Sequence, residues 1–472
     1  MPPQSTDIPA RRAIFWTLSA FFLTLAVRAN GGRYAPEGML CLSLSILSAI
    51  GGVFLPGLLP IPDSQKLLNG VLAAGSTVFA AFWLMPEGDS PRWIGFLGSW
   101  GLCIAVAVLL LKVAAIPRFK RLLFPLLMLV LAFYWVSELK SARHFELTSD
   151  RLVFHVRNDV QTFAEVAATQ LSAGKNPYSV HMPNVMGADM PFYSEGTTTW
   201  TPGTSKPRQG TLTFGYPYLP LTALWSLPGH WLGDFRFTHI FALIAAAGLL
   251  AYARPSTTSQ LAATFFLLFP PALFILLMSW IEPVVVFFLA ATVFCYFRAP
   301  KWLFLALGCL VASKQYTFFV LVLLPLLVPE KTVRRPLMLK SIAVALVLSV
   351  PMALWDWPGF YRSVIEIQFK QPFRKDSLSY LVTVLQLGGI QLSPAFGFLA
   401  LLGGLGLGVW KAPRVPALWC SAAAVAYLGF FALNKQAFAN YYFWPFSLLV
   451  AAVAIALPPT QSETVPDAVG AA

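Results

Sequence analysis

Long apolar runs separated by short polar connectors extend along almost the whole chain, and this pattern predicts membrane-spanning helices. Each run is close to the roughly 20 residues that a helix needs to cross the hydrocarbon core of a bilayer. The runs are continuous rather than alternating in polarity, which argues against a transmembrane β-barrel. The main predicted segments are 13–27, 39–59, 68–85, 93–116, 122–136, 236–252, 261–278, 283–297, 337–355, 395–410, 416–433 and 440–457.

Two other apolar runs are interpreted differently. Residues 301–328 carry Lys314 at their middle, where a lysine inside a membrane is costly. Two short segments that meet at Lys314 would place it at a surface or in a cavity, so we expect a hairpin there. Residues 218–231, which contain Pro228, are expected not to span the membrane fully, because the parity of crossings otherwise fails. With the hairpin, we expect an all-α polytopic membrane protein of about 13 membrane helices.

One long polar interruption, residues 138–213, is predicted to be a large loop that carries an amphipathic helix. Apolar residues at three- and four-residue spacing give that helix one apolar face. We expect it to end near Gly174, which suits a left-handed residue after a helix. Asp159 falls at the edge of the apolar face and Glu165 on the polar face. A partly desolvated Asp159 could act as a general base, and a solvated charge on an ordinary surface helix is the alternative.

The distribution of charge predicts the topology. The chain has 472 residues, of which 11% are charged, and a net charge of +13; a soluble domain carries about 25% charged residues. The basic residues lie at the ends of apolar segments, which indicates topology and contact with anionic membrane lipids rather than nucleic acid. We expect both termini to be cytoplasmic, the protein to lie in the inner (cytoplasmic) membrane, and residues 138–213 and 356–379 to form two outer loops.

The chain is therefore expected to have three parts. Residues 1–120 form about four N-terminal membrane helices. Residues 121–457 form a catalytic membrane module that includes both outer loops, and residues 458–472 form a cytoplasmic tail. All five cysteines lie in apolar segments and are interpreted as small apolar residues. No nucleotide-binding or metal-binding motif is present; we expect no cofactor to be required, and a divalent metal stays open.

Several cations from separate segments are expected to meet at the outer face, against the usual bias of basic residues towards the cytoplasm. A bound phosphate would explain them, because Lys and Arg neutralise it and Arg can contact two of its oxygens. Snorkelling of long side chains towards water is the alternative. Glu282 opens an apolar helix, where the helix dipole favours an acid; a role in positioning a sugar hydroxyl is the other interpretation. The converging groups are Asp159, Lys175, Lys314-Gln315, Arg374-Lys375-Asp376, Lys435-Gln436 and Tyr441.

Short motifs in residues 120–457 resemble those of the GT-C glycosyltransferases, and most closely the polyprenol-phosphate-mannose-dependent mannosyltransferases of glycosyltransferase family 87. Two departures are Tyr218 in place of a second proline and the additional N-terminal helices. The motifs that carry the resemblance are Asp159-x-x-x-Phe163, Leu171-x-x-Gly174-Lys175-Asn176-Pro177-Tyr178, Tyr216-Pro217, Lys314-Gln315 and Lys435-Gln436-x-Phe438-x-Asn440-Tyr441.

The resemblance implies a GT-C-like bundle that transfers mannose or another hexose from a polyprenyl-phosphate donor to a lipid or glycan acceptor, with inversion. Asp159 would deprotonate the acceptor hydroxyl. Candidates for the donor phosphate are Lys314, Arg374, Lys375 and Lys435. Candidates for other substrate contacts are Lys175, Asn176, Tyr178, Gln315, Gln436 and Tyr441. Two alternatives stay open at this point: a polymerase or ligase of lipid-linked oligosaccharides, and a membrane transporter.

Overall fold

The structure of the protein is a computed structural model that describes residues 7–57, 61, 63–84, 117–148, 158–185, 193, 198–200 and 210–458. The described chain is mostly helical, as predicted. Six of its helices are long and apolar enough to cross a membrane, which indicates a membrane protein. The predicted segment 93–116 and the tail beyond residue 458 lie outside the described residues.

The helices follow each other along the chain with few strands. The first nine are α1 Asp7–Ala29, α2 Pro36–Phe54, α3 Ser64–Leu84, α4 Pro117–Thr148, α5 Asp159–Ser172, α6 Pro220–Trp231, α7 Arg236–Ala253, α8 Thr257–Leu267 and α9 Ala272–Leu277. The next are α10 Glu282–Arg298, α11 Leu303–Val311, α12 Leu324–Leu327, α13 Lys331–Trp355, α14 Trp357–Phe360, α15 Ile367–Lys370, α16 Tyr380–Gly388, α17 Ala395–Lys411, α18 Pro416–Ala432 and α19 Ala439–Ala454. Two 3₁₀ helices cover Pro300–Trp302 and Gln315–Leu323, and a π-helical turn covers Tyr361–Glu366.

Helix α4 is longer than the sequence pattern predicts. It continues to Thr148 and so occupies the first part of the predicted outer loop. No glycine or proline occurs between Pro125 and the end of this helix, so nothing in the backbone ends it where the apolar run stops. Later in the loop, strands Thr198–Trp200 and Gly210–Leu212 pair antiparallel.

The last helix, α19, lies at the centre of the bundle. Almost every side chain from Ala439 to Ala454 is buried, and α1, α8, α10 and α18 pack against it. By contrast, α13 leaves many large apolar side chains exposed, including Leu346, Val347 and Leu354, as a lipid-facing helix does. The N-terminal helices thus pack directly on the C-terminal end of the chain.

The run around Lys314 reverses direction, as the predicted hairpin requires. Helix α11 runs beside α13 in the same direction, since the Ser341 hydroxyl donates to the Phe304 carbonyl oxygen and Gly308 lies against Val344. The 3₁₀ helix and α12 then return to the end where α13 begins. Lys314 has an extended backbone at this break. The lysine therefore lies at the end of two short segments rather than within one long one.

Helix α6 does not cross the bundle. Its twelve residues extend only about 18 Å, and it packs along the amphipathic helix α5. The Trp231 indole nitrogen at its end donates to the Ser172 hydroxyl at 3.0 Å. This placement agrees with the expectation that residues 218–231 do not span.

A second, smaller core holds the loop region on the bundle. It joins α5, the segments around Tyr178 and Tyr216, and the turns after α13. Phe163 of α5 packs edge-on against Phe214, and Tyr178 packs against Phe360 at a ring distance of 4.9 Å. Because apolar burial stabilises this contact, α5 has a fixed position above the bundle.

The turn between α1 and α2 packs on the start of α19 and is expected to require glycine. Gly32 has φ +78°, and a Cβ there would lie against the backbone nitrogen of Ala439 and 2.8 Å from its Cα. Gly31 has φ +59°, but a Cβ there would contact nothing within 4 Å.

We predict that Gly32→Ala destabilises the protein by about 1–3 kcal/mol more than Gly31→Ala, because both variants strain the backbone but only one also overpacks the contact. Thermal unfolding in detergent, followed by intrinsic fluorescence, measures the difference. Equal thermal unfolding midpoints for the two variants would show that Gly32 is not packed tightly against α19.

Candidate functional site

The amphipathic helix places Asp159 at one end of the bundle. Asn158 caps this helix, since its side-chain oxygen accepts a hydrogen bond from the backbone nitrogen of Gln161 at 3.0 Å. Its side-chain nitrogen donates to the Met278 carbonyl oxygen at 2.7 Å. Met278 lies just before α10, so this contact holds Asp159 close to Glu282. Gly174, with φ +66°, follows the end of the helix, as predicted.

Asp159 is partly buried and is held by two hydrogen bonds. The Tyr193 hydroxyl donates to Oδ2 at 2.5 Å, and the backbone nitrogen of Val160 donates to Oδ1 at 2.9 Å. Burial raises the pKa of Asp159 above its ordinary value; the two hydrogen bonds and the positive charge of Arg374 act in the opposite direction without cancelling it. A carboxylate in this state has a raised proton affinity, which suits a general base.

A buried ion pair joins Glu282, at the start of α10, to Lys314, at the reversal between α11 and the 3₁₀ helix. The Lys314 ammonium donates to Glu282 Oε1, and both side chains are nearly inaccessible to solvent, with 7% and 1% of their surfaces exposed. Asn440, near the start of α19, donates its side-chain nitrogen to the same Oε1 at 3.0 Å. The other oxygen, Oε2, is buried and has no hydrogen-bond partner among the described residues. The charge of Lys314 is therefore already neutralised within the protein.

Tyrosine rings connect this ion pair to Asp159. The Lys314 ammonium lies 5.8 Å from the ring centre of Tyr218 and 5.2 Å from that of Tyr441, where a cation is attracted to the ring face. The same two tyrosines lie near enough to Asp159 and Glu282 for both carboxylates to act on them. Both carboxylates thus belong to one site.

Arg374 contributes a second positive group. Its guanidinium makes two hydrogen bonds to Asp376, at 2.9 and 2.8 Å, and lies over the Phe438 ring at 4.8 Å. Arg33 of the α1–α2 turn reaches the same carboxylate at 3.9 Å. Burial raises the pKa of Asp376, but the hydrogen bonds and charge of Arg374, helped by Arg33, outweigh it and leave the pKa below its usual value. Two guanidinium groups against one carboxylate leave one net positive charge.

Lys435 lies beside Arg374. The Arg374 backbone nitrogen donates to the Lys435 carbonyl oxygen at 3.0 Å. The Lys435 ammonium donates to the carbonyl oxygens of Gln371 at 2.5 Å and Phe369 at 3.1 Å. Burial lowers the pKa of Lys435. The connectors that carry Arg374 and Lys435 therefore form one ordered cationic region.

Four side chains that were predicted to contact the substrate form hydrogen bonds within the protein. Asn176 donates to the Met352 carbonyl oxygen at 3.2 Å, and the Tyr178 hydroxyl donates to that of Tyr218 at 2.8 Å. Gln315 donates to the Pro217 carbonyl oxygen at 3.1 Å. Gln436 donates to the side-chain oxygen of Gln371 at 3.0 Å and to the Pro372 carbonyl oxygen at 3.2 Å. These side chains shape the loops around the site.

Two predicted site residues do not join this group. Lys175 and Lys375 are both exposed. The described residues show no hydrogen bond or ion pair between either ammonium and the groups around Asp159. Lys375 follows Arg374 directly in the chain. The guanidinium of Arg374 binds Asp376 within a tight turn, whereas Lys375 is exposed.

Several residues of the site were not among the sequence-based candidates. Glu282 opens α10 as expected, but its main partner is Lys314 rather than the helix dipole alone. Two opposite charges within separate apolar runs of a sequence can indicate an ion pair, because each charge needs a partner in a low-dielectric environment. Nothing comparable in the sequence marked Tyr193, Tyr218 or Tyr316 as site residues. The residues that sequence analysis missed as site components are Arg33, Tyr193, Tyr218 and Tyr316, and Asn440 was quoted in a motif without a role of its own.

Comparison with protein-family models, curated proteins and solved structures found no match for this chain. Within the described ranges, no three His, Cys, Asp or Glu side chains group closely enough to hold a metal ion. The geometry of the site is therefore the basis for assigning a function.

The Lys314–Glu282 pair is predicted to show strong energetic coupling. Either Lys314→Met or Glu282→Gln should cost about 3–5 kcal/mol, because each leaves a buried partner uncompensated. The double variant should cost less than the sum of the two. A double-mutant cycle from thermal unfolding in detergent measures this coupling.

The exposed pair Lys66–Asp63, at 3.2 Å, is the matched control and should show almost no coupling, because solvent screens it. Additive effects of the Lys314 and Glu282 substitutions would contradict the buried ion pair.

Proposed function

We propose that the protein is an integral membrane glycosyltransferase that moves a hexose, such as mannose, from a polyprenyl-phosphate donor to an acceptor hydroxyl. The observation that carries this proposal is Asp159, which is partly desolvated and held by Tyr193 within reach of the charge of Arg374. A carboxylate beside a cationic region supplies the two groups that displacement of a sugar from a phosphate needs.

In this proposal Asp159 is the general base. It accepts the proton of the acceptor hydroxyl while the acceptor oxygen forms a bond to the anomeric carbon of the sugar. The bond between that carbon and the phosphate oxygen breaks, and the electron pair leaves with the polyprenyl phosphate. Arg374 and Lys435 stabilise the negative charge that develops on the phosphate. The products are the glycosylated acceptor and polyprenyl phosphate.

The distribution of basic residues supports an outward-facing site in the inner membrane. At the end of the bundle opposite Asp159, Arg12 donates to the Val53 carbonyl oxygen at 2.6 Å and Arg254 to that of Ile455 at 3.2 Å. Basic connectors favour the cytoplasmic side, so Asp159 would face outward and both termini inward. The partners are a lipid-linked sugar donor, a lipid or glycan acceptor and the surrounding membrane lipids.

A transporter is the second candidate, because a buried Lys–Glu pair in a membrane protein is typical of ion or substrate pathways. The position of the pair argues against it here, since Lys314 and Glu282 lie at helix ends next to the loop region. A lipid-linked oligosaccharide polymerase or ligase would have no need for the Asp159 carboxylate. The same substitution at Asp159 therefore separates both alternatives from the proposal.

Asp159→Asn is predicted to abolish sugar transfer. Loss of a general base lowers the rate by about 10²–10⁴-fold, while donor binding should persist. Membranes that contain the wild-type or variant protein are incubated with labelled polyprenyl-phosphate sugars, and label in the acceptor fraction is measured. Glu165→Gln, a carboxylate change on the same helix, is the control and should leave transfer near the wild-type level. Near-normal transfer by Asp159→Asn would overturn the proposal.

Tyr193→Phe is predicted to move the acidic limb of the pH–rate profile to higher pH. The base must be ionised to act, and removal of a hydrogen bond that stabilises the ionised form raises the pKa of Asp159 further. The midpoint of the wild-type acidic limb should already lie above about pH 4, the pKa of an ordinary aspartate. Transfer rates measured from about pH 4 to pH 9 give both midpoints. A shift to lower pH would contradict the role of Asp159.

A further inference from the structure

The buried pair offers a polar surface that the proposed chemistry does not use. Glu282 is 1% exposed, and its Oε2 has no donor among the described residues, although Oε1 has two. The hydroxyl oxygen of Tyr316 is also buried without a partner in the described part of the chain. Lys314 donates to Glu282 and lies 5.2 Å from the ring centre of Tyr316, so the two side chains belong to one cluster. Buried polar atoms of native proteins are nearly always paired, which indicates a ligand group here.

The surroundings of these atoms match the chemistry of a sugar. The Lys314 ammonium lies 5.2 Å from the ring centre of Tyr316, and the partly exposed residues Tyr218 and Tyr441 have their ring centres 5.8 and 5.2 Å from the same ammonium. Aromatic rings can cover the apolar faces of a sugar, while a carboxylate accepts from its hydroxyl groups. The cluster also connects to Asp159 through Tyr218 and Tyr441.

Charge argues against a phosphate at this position. Lys314 and Glu282 together are neutral, and the orphaned carboxylate oxygen would repel an anion. The cationic region around Arg374 and Lys435 is a separate part of the site with net positive charge. A donor that carries both a phosphate and a sugar can therefore orient itself between two chemically different regions.

We infer that Glu282 Oε2 and the Tyr316 hydroxyl form a subsite for the hydroxyl groups of the transferred sugar, and that the donor phosphate binds at Arg374 and Lys435 rather than at Lys314. This inference rests on the proposed function and names the sugar-recognising part of the same site. It assigns Lys314 the role of holding the Glu282 side chain in position through the buried ion pair.

Binding of two probes tests the assignment. The purified full-length protein in nanodiscs is titrated with a short polyprenyl phosphate and with the same lipid bearing a hexose. The wild type should prefer the glycosylated lipid. Tyr316→Phe, which removes a hydroxyl without a partner, should reduce that preference about three- to tenfold and leave the affinity for the bare lipid unchanged. Glu282→Gln should reduce the preference at least as much.

Three controls make the result specific. Arg374→Gln should weaken binding of both probes, and its exposed neighbour Lys375→Gln should weaken neither. Tyr252→Phe, at the other end of the bundle, should match the wild type. Preference that survives in Tyr316→Phe and Glu282→Gln, or equal weakening of both probes, would overturn the inference while the proposed function stands. A wild type that binds both probes equally would also overturn the inference alone, whereas one that binds neither would overturn the proposed function with it.

Discussion

The compensation of one buried positive charge determines much of this structure. Lys314 lies between two apolar segments, and an isolated ammonium there would be unfavourable by several kcal/mol. Its partner Glu282 begins α10, and Asn440 of α19 binds the same carboxylate oxygen. Three segments far apart in the chain are thus fixed to each other at one end of the bundle. The loop region is positioned on this assembly, because Asn158 binds the turn that precedes Glu282.

The same constraint separates two kinds of positive group. A lysine that is neutralised inside the protein can hold a carboxylate in place but has little charge left for an anion. Arg33 and Arg374 around Asp376, together with Lys435, keep a net positive charge. From the sequence alone, Lys314, Arg374 and Lys435 were all candidates for the donor phosphate. Their partners in the structure separate Lys314 from the other two. Tyr218 and Tyr441 lie beside Lys314 and near both Asp159 and Glu282.

The sequence was most informative where one physical rule dominates. Hydrophobic length located most of the helices, and the cost of a buried lysine predicted the reversal at Lys314. Helical periodicity with Gly174 located α5 and its end. Partners were less predictable, because Glu282 and Lys314 are distant in the chain and no local pattern pairs them. The length of α4 was also missed, since apolar composition marks where a helix enters lipid and not where it stops. Tyr193 lies in a loop with no periodicity, so nothing marked its contact with Asp159.

The contact of the α1–α2 turn with the Asp376 connector has a consequence for biosynthesis. Ser43 and Tyr380 are hydrogen-bonded at 2.6 Å across a separation of 337 residues, and Gly32 lies against Ala439 near the end of the chain. The first helical hairpin therefore enters the bilayer long before its neighbours are synthesised. Until the ribosome has synthesised the connector that carries Asp376, Arg33 lacks this carboxylate partner. The cationic region should consequently be among the last parts of the protein to mature, after the individual helices are already inserted.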